Sequence, residues 1–409
     1  MKSSPDALTP LSLFELDPVG TSIRPSGKVP LTRPQRQGGG LHTRVSTQGI
    51  KYAGSKLKLL PNILELAEDL GIRKVWDAFS GTTRVSQAFA KKGYEVESND
   101  VALWSEQFGR AYLLNRREPH EYSDLIEHLN GVAPIDGWFT HHYGGLDYDG
   151  SAVQLDGLKK LWQVHNTKKL DGIRLEIERL GLDEVTRAVA LSSLMLALDK
   201  VDSTMGHFVS YLREWSPRSY GTLRLEVPQV WPNEIDHKVT RKNVLDCAGA
   251  VGSGADLAYL DPPYGSNNEK MPPSRVRYQS YYHVWTTIIL NDEPETFGAA
   301  SRRADSSDTV AASVFEDFRR NKSTGRFVAV EALDGLLART ATPYVMLSYS
   351  SDGRATAGEM DEILHANGKL MSTAIVDYKR NVMSGMVWTN EWLREVETRN
   401  QEFIFLLQK

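Results

Sequence analysis

The segment Leu257-Ala258-Tyr259-Leu260-Asp261-Pro262-Pro263-Tyr264 constrains this chain more than any other. Four apolar residues in succession read as a buried strand. The strand stops at an acid, and two prolines follow that fix two φ angles and delete two backbone donors. A carboxylate at the C-terminal end of a buried strand is where open α/β sheets carry their chemistry. The carbonyls of the turn are spared hydrogen bonds from the missing donors. The result is a stiff rim with one carboxylate, free carbonyl oxygens and an aromatic ring. That set matches a flat group bearing an exocyclic amine: Asp261 and the Pro262 carbonyl each accept one N–H, and Tyr264 stacks on the face. Asp-Pro-Pro also serves as a plain turn, so the reading depends on its surroundings.

Lys74 to Ala78 reads as another strand, and Asp77-Ala78-Phe79-Ser80-Gly81-Thr82-Thr83 as its exit loop. Thr83 to Lys92 reads as a helix with Val85, Ala88 and Phe89 on one face and Gly93 as its stop. Tyr94 to Ser98 alternates like a strand, with Asp100 just beyond it. An acid about 20 positions after a glycine loop is placed to bind ribose hydroxyls. The loop has one glycine, Gly81, where a dinucleotide pyrophosphate needs several. A nucleoside with a small charged tail fits better. Upstream, Leu57, Leu60, Ile63, Leu64 and Ala67 recur at helical spacing and put Gly54 and Ser55 at a helix start. Backbone N–H groups there attract a carboxylate, and Lys51 or Lys56 supplies a cation. Taken alone, this element is also an ordinary amphipathic helix with surface lysines.

Lys51-Tyr52-Ala53-Gly54-Ser55-Lys56, then Asp77-x-Phe79-Ser80-Gly81, then Asp261-Pro262-Pro263-Tyr264, in this order, resembles the adenine-N6 DNA methyltransferases, and most closely their Dam-like (D-twelve) class. The segments 197–204, 281–285 and 347–353 resemble one branch of that class. The resemblance runs from Lys51 to the C-terminus. It departs at Gly81-Thr82-Thr83, where relatives often carry a second glycine. It implies an α/β fold: a Rossmann-like S-adenosylmethionine-dependent methyltransferase core with an inserted, mainly helical target-recognition domain. Asp261, Pro262, Pro263 and Tyr264 are then the catalytic residues. Tyr52, Gly54, Lys56, Asp77, Phe79, Gly81, Asp100 and Asp246 are the cofactor-binding ones, with Asp100 on the ribose, Asp246 on the cofactor's adenine amine and Phe79 beside the ring. The implied substrate is double-stranded DNA, whose target adenine has to be flipped out of the duplex to be reached.

The 409 residues, 41% of them hydrophobic, suffice for a full core and more than one substructure. Residues 1–48 are rich in Pro, Gly, Ser and Thr without an apolar period and read as a disordered tail. Residues 49–118 read as the cofactor half of the core, 119–237 as the helical insert and 238–409 as the catalytic half. Within the insert, Leu155, Leu158, Trp162 and His165 fall on one helical face, Leu170 to Leu180 on a second, and Asp183 caps a third. Its basic residues, Arg213, Arg218 and Arg224 among them, suit phosphate and base contacts. Cys247, the single cysteine, excludes an internal disulfide. It reads as a packing residue beside Asp246 at a strand end. No metal is expected, and His141-His142 reads as loop. No run is long and apolar enough for a membrane span, and without a signal pattern a cytoplasmic protein is expected. The net charge of −4 does not favour nucleic acid, but phosphate contacts need only local patches.

Of the other planar acceptors, cytosine N4 usually goes with Ser and protein glutamine with Asn at the Asp261 position, so Asp favours adenine, and RNA adenine remains open beside DNA. A non-catalytic DNA-binding protein on the same fold is the alternative that the intact Asp-Pro-Pro-Tyr turn argues against, and an NAD-dependent enzyme is disfavoured by the missing glycines. No nuclease motif is evident, so any restriction endonuclease is expected to be a separate protein. The oligomeric state is left open.

Overall fold

The structure, a computed structural model, describes residues 45–252, 254–264, 277–307, 313–378 and 400–409. Seven strands form one sheet: β1 (Lys74–Asp77), β2 (Glu95–Asn99), β3 (Lys238–Thr240), β4 (Leu257–Leu260), β5 (Tyr344–Ser350), β6 (Lys369–Tyr378) and β7 (Asn400–Gln408). Their order is β6-β7-β5-β4-β1-β2-β3. Strands β1 to β5 are mutually parallel, and β7 runs antiparallel to both neighbours, β5 and β6. This antiparallel strand brings its first residues, rather than its last, to the edge where the parallel strands end.

Side chains alternate across the sheet, and a separate core lies on each face. Helices α1 (Leu60–Glu68) and α2 (Arg84–Lys91) cover Val75, Val96, Leu257 and Met346. The other face, with Trp76, Ala258, Leu260 and Leu347, packs against the helices Val328–Arg339 and Ala357–Asn367 and against Val244, Cys247 and Ala248. A third core belongs to the helices between β2 and β3: α3 (Leu103–Leu113), α4 (Ser123–Gly131), α5 (Trp138–Tyr143), α6 (Val164–Arg179) and α7 (Glu184–Val201). Asp183 caps α7 by accepting from the Val185 and Thr186 amides.

The helical unit is not confined to 119–237. Tyr281, Tyr282, Val284, Trp285 and Ile288, from the chain after β4, and Trp104 and Phe108 of α3 share its core. The expected helix through Leu155 and Leu158 is absent. Val153 bridges Lys159 antiparallel, Gly157 takes φ +81°, and Leu155 stands 92% exposed. The Asp156-Gly157 turn overrides the apolar spacing. His141 and His142, read as loop, lie on α5, where His142 stacks on Trp138.

Of the expected tail, residues 1–44 lie outside the described residues, whereas 45–48 dock on the core. Arg84 donates to the Thr47 carbonyl, and Gln48 exchanges bonds with Gln87. Among the described residues no helix is long and apolar enough to cross a membrane.

Candidate active site

A cavity of about 590 Å³ opens at the C-terminal ends of β1, β2 and β4. Tyr52, Gly54, Lys56, Asp77, Phe79, Gly81, Asp100, Asp261, Pro262, Pro263 and Tyr264 all line it. Three segments distant in sequence therefore meet in one place.

Gly81 turns the loop after β1 at φ +52°, and a Cβ there would lie 3.1 Å from the Tyr52 ring. The close approach and the left-handed φ both require glycine. Thr83 then takes φ 59° with its side chain buried, an uncommon conformation for a β-branched residue. Its hydroxyl accepts from Gln87 Nε2 at 3.0 Å, and its amide donates to the Ser80 carbonyl. Backbone strain of this kind concentrates at functional sites. Asp100 fixes the loop from the far side, accepting from the Gly81 amide at 2.8 Å and the Ala102 amide at 3.0 Å. Burial raises its carboxyl, and those amides oppose the rise.

Asp77 ends β1 fully buried. Its Oδ2 accepts from Ser86 Oγ at 2.6 Å, while Oδ1 has no partner among the described residues. Burial pushes the carboxyl up to about 7, against the Ser86 bond. A buried acceptor left unpaired beside a cavity is costly unless a ligand donor completes it. Arg84 also lines the cavity. Its terminal nitrogens bond the Thr47 and Gly49 carbonyls, and its buried Nε has no acceptor. Phe79 meets Phe315 edge-on at 5.4 Å on the same wall.

Asp261 leaves β4 with its side chain 16% exposed. Burial pushes its carboxyl up to about 6, opposed by Lys56 and assisted by Glu402. Oδ1 pairs with Lys56 Nζ at 3.1 Å. Among the described residues nothing donates to the Pro262 carbonyl. Lys56 Nζ also donates to the Tyr264 hydroxyl at 2.7 Å and to Glu402 Oε2 at 3.4 Å. Burial works against this ammonium, yet the two carboxylates outweigh it and hold Lys56 well above the ordinary lysine range. The lysine expected near a ligand carboxylate is thus committed to the acid of the Pro-Pro turn. Lys51 is engaged elsewhere, with Asp202 at 2.6 Å and Asp199.

Asp246 is not among the lining residues. Its segment starts helix α8 (Val244–Gly252) rather than ending a strand, and this turns Asp246 outward to solvent. The cavity is met instead by Asn243, whose Oδ1 accepts from the Leu245 amide, and by Val244. Cys247 is buried on the same helix. Glu402 and Phe315 had no sequence signal as site residues. Tyr278 and Tyr282 brace the Tyr52 loop: Tyr282 stacks on Tyr52 at 4.6 Å and its hydroxyl accepts from the Ala53 amide. Among the basic residues of the insert, Arg218 is taken by buried Asp202 at 2.8 Å and by the Thr204 carbonyl. Arg213 is exposed, and Arg224 stands exposed 3.7 Å from Glu127.

Residues 52–314 match the D12 class N6 adenine-specific DNA methyltransferase family. The chain belongs to that family. Among individual relatives, Type II methyltransferase M.FokI of Planomicrobium okeanokoites is 26% identical over 78% of this chain and 47% of its own length. Type II methyltransferase M.NlaIII of Neisseria lactamica is 25% identical over 78% of this chain and 89% of its own. Modification methylase StsI of Streptococcus sanguinis is 28% identical over 81% and 48% respectively. The chain thus spans about half the length of M.FokI and StsI. The seven-stranded sheet is the Rossmann-like core of that family, whose activity requires a methyl donor. The family match ends at residue 314 and does not reach Glu402.

Proposed function

We propose that this D12 protein transfers a methyl group from S-adenosylmethionine to N6 of a flipped adenine in DNA. The observation that carries the reading is the rim after β4, where an anchored carboxylate and an unengaged Pro262 carbonyl flank the cavity beside the Tyr264 ring.

S-adenosylmethionine supplies an electrophilic methyl on a sulfonium. Asp77 Oδ1 would hold its ammonium, Arg84 Nε its carboxylate, Asp100 the ribose, and the Phe79–Phe315 wall the adenine. The residues fit: the buried acceptor and the buried donor each lack a partner among the described residues.

On the target side, an exocyclic amine is a poor nucleophile because its lone pair is delocalised into the ring. Two acceptors that draw its hydrogens out of plane localise that lone pair. Asp261 Oδ2 and the Pro262 carbonyl are those acceptors. The anchored carboxylate also stabilises positive charge growing on nitrogen, and the excess proton passes through Asp261 to solvent. Tyr264 stacks on the extruded base.

The helical unit, whose core residue Trp104 lines the cavity, reads the sequence, with Arg213 and Arg224 as exposed candidates for DNA contact.

The test is methylation of matched DNA and RNA by the full chain, followed by sequencing of modified bases in DNA from expressing cells. N6-methyladenine at a defined DNA site is expected. Methyl groups on cytosine, or on RNA alone, would overturn the reading.

Asp77 gives a separate expectation. A ligand ammonium favours the ionised acid, so binding lowers its raised pKa and expels a proton. Calorimetry at about pH 6 in buffers of differing ionisation enthalpy should show proton release on cofactor binding. Affinity should rise with pH up to about 7. In Asp77→Asn the release should shrink. Equal release by both proteins would remove Asp77 from the cofactor site.

A further inference from the structure

Glu402 lies on β7, opposite Ser350 of β5 and Val376 of β6. Its side chain is 14% exposed. It accepts from the Tyr264 hydroxyl at 3.2 Å and from Lys56 Nζ at 3.4 Å. Lys56 has three N–H donors, and three acceptors surround them: Asp261 Oδ1, the Tyr264 hydroxyl and Glu402 Oε2. The Tyr264 hydroxyl accepts from the lysine and donates to Glu402, so both its functions are fixed. Neither the catalytic turn nor the family match accounts for Glu402.

We propose that Glu402 is a positioning residue for methyl transfer, holding the Lys56 ammonium and the Tyr264 ring in register with Asp261 and leaving the cluster with a net negative charge. The proposal rests on the reading of the site as a methyltransferase centre. One consequence is geometric. Tyr264 stacks productively only while its ring is held, and the hydroxyl is the ring's handle. The other is electrostatic. Two carboxylates around one ammonium leave one negative charge facing the amine as it becomes cationic, whereas one carboxylate would leave none.

The groups facing Asp261 are Lys56 from the turn before α1, Glu402 from β7, Asp77 and Tyr259 from β1 and β4, and Tyr278 from its own short helix. Glu402 is a like charge that raises the Asp261 carboxyl, and Lys56 opposes it. Removing the Glu402 charge therefore lowers the pH at which Asp261 ionises.

The experiment compares wild type with Glu402→Gln, which keeps size and acceptor oxygen, and with Glu402→Ala. For the full chain, kcat, KM and the pH profile are measured, and the Asp261 carboxyl is followed by carbon-13 NMR with Asp261→Asn as blank. In Glu402→Gln, kcat should fall about 10- to 150-fold with little change in KM. The acid limb of kcat and the Asp261 titration should both move to lower pH. Glu402→Ala should lose more activity and shift in the same direction. An unmoved limb and titration, or a loss confined to KM for the cofactor, would overturn the proposal. If Glu402→Ala does not fold, Glu402→Gln decides. If wild type leaves adenine unmethylated while the titration still shifts, the positioning network stands and the proposed reaction falls.

Discussion

Asp261→Ala is expected to cut turnover by at least about a thousandfold while leaving cofactor affinity within roughly threefold. Asp261 follows β4, whereas the residues proposed to hold the cofactor, Asp77 and Asp100, sit on β1 and just after β2. The variant should fold. The Asp261 carboxyl is raised from 3.8 to about 6, so the native state holds an extra proton between those values. By linkage, stability from this group falls as pH rises through that window, and ionised Asp261 costs stability at neutral pH. Its removal relieves that cost and leaves Lys56 paired with Glu402. In wild type, kcat/KM should decline below about pH 6, as the acceptor becomes a donor. Measured by radiolabel transfer and calorimetry, substantial turnover in the variant would sink the assignment. Parallel loss of cofactor binding would move Asp261 to the cofactor side.

The parts of this site that were legible in sequence are those set by local pattern. A strand, one glycine and an acid after the next strand specify the loop from Asp77 to Asp100, and Gly81 holds the left-handed turn that only this residue type tolerates against the Tyr52 ring. The apolar run into Asp261 specifies its edge position. Local ambiguity accounts for Asp246: Val244-Leu245-Asp246-Cys247 fits a strand end or a helix start, and the Asn243 side chain accepting from the Leu245 amide decides for helix. It also accounts for Leu155, where one Asp-Gly turn outweighs apolar spacing. Glu402 was invisible for a different reason. It contacts Lys56 across a separation of 346 residues, and only the antiparallel insertion of β7 between β5 and β6 brings it to the catalytic edge. Nothing in Phe403, Phe405 and Leu407 alternating along that strand announces its direction.

Lys56→Met tests the largest departure from the sequence reading, because a cofactor lysine and a catalytic-turn lysine fail differently. The ammonium is 5% exposed and joins two acids that otherwise face each other. Removing one partner from a buried ionic cluster costs about 3–5 kcal/mol. That loss should be full at neutral and alkaline pH and should shrink as pH falls, since protonation of the carboxylates removes their repulsion. Without its cation, Asp261 ionises at higher pH than in wild type, so the acid limb of activity moves up, opposite to Glu402→Gln. Turnover near pH 7.5 should fall by at least about a hundredfold, while cofactor affinity stays within a few fold. The decisive measurement adds Glu402→Gln to Lys56→Met. A substitution that harms the wild-type enzyme should then raise the unfolding midpoint and restore part of the activity, because it removes the second of two unpaired buried carboxylates. Such a reversal of sign is expected only for residues in direct contact. If Lys56→Met instead raises the cofactor's dissociation constant and keeps kcat at saturating cofactor, the lysine serves the cofactor, and the cluster around Asp261 is structural.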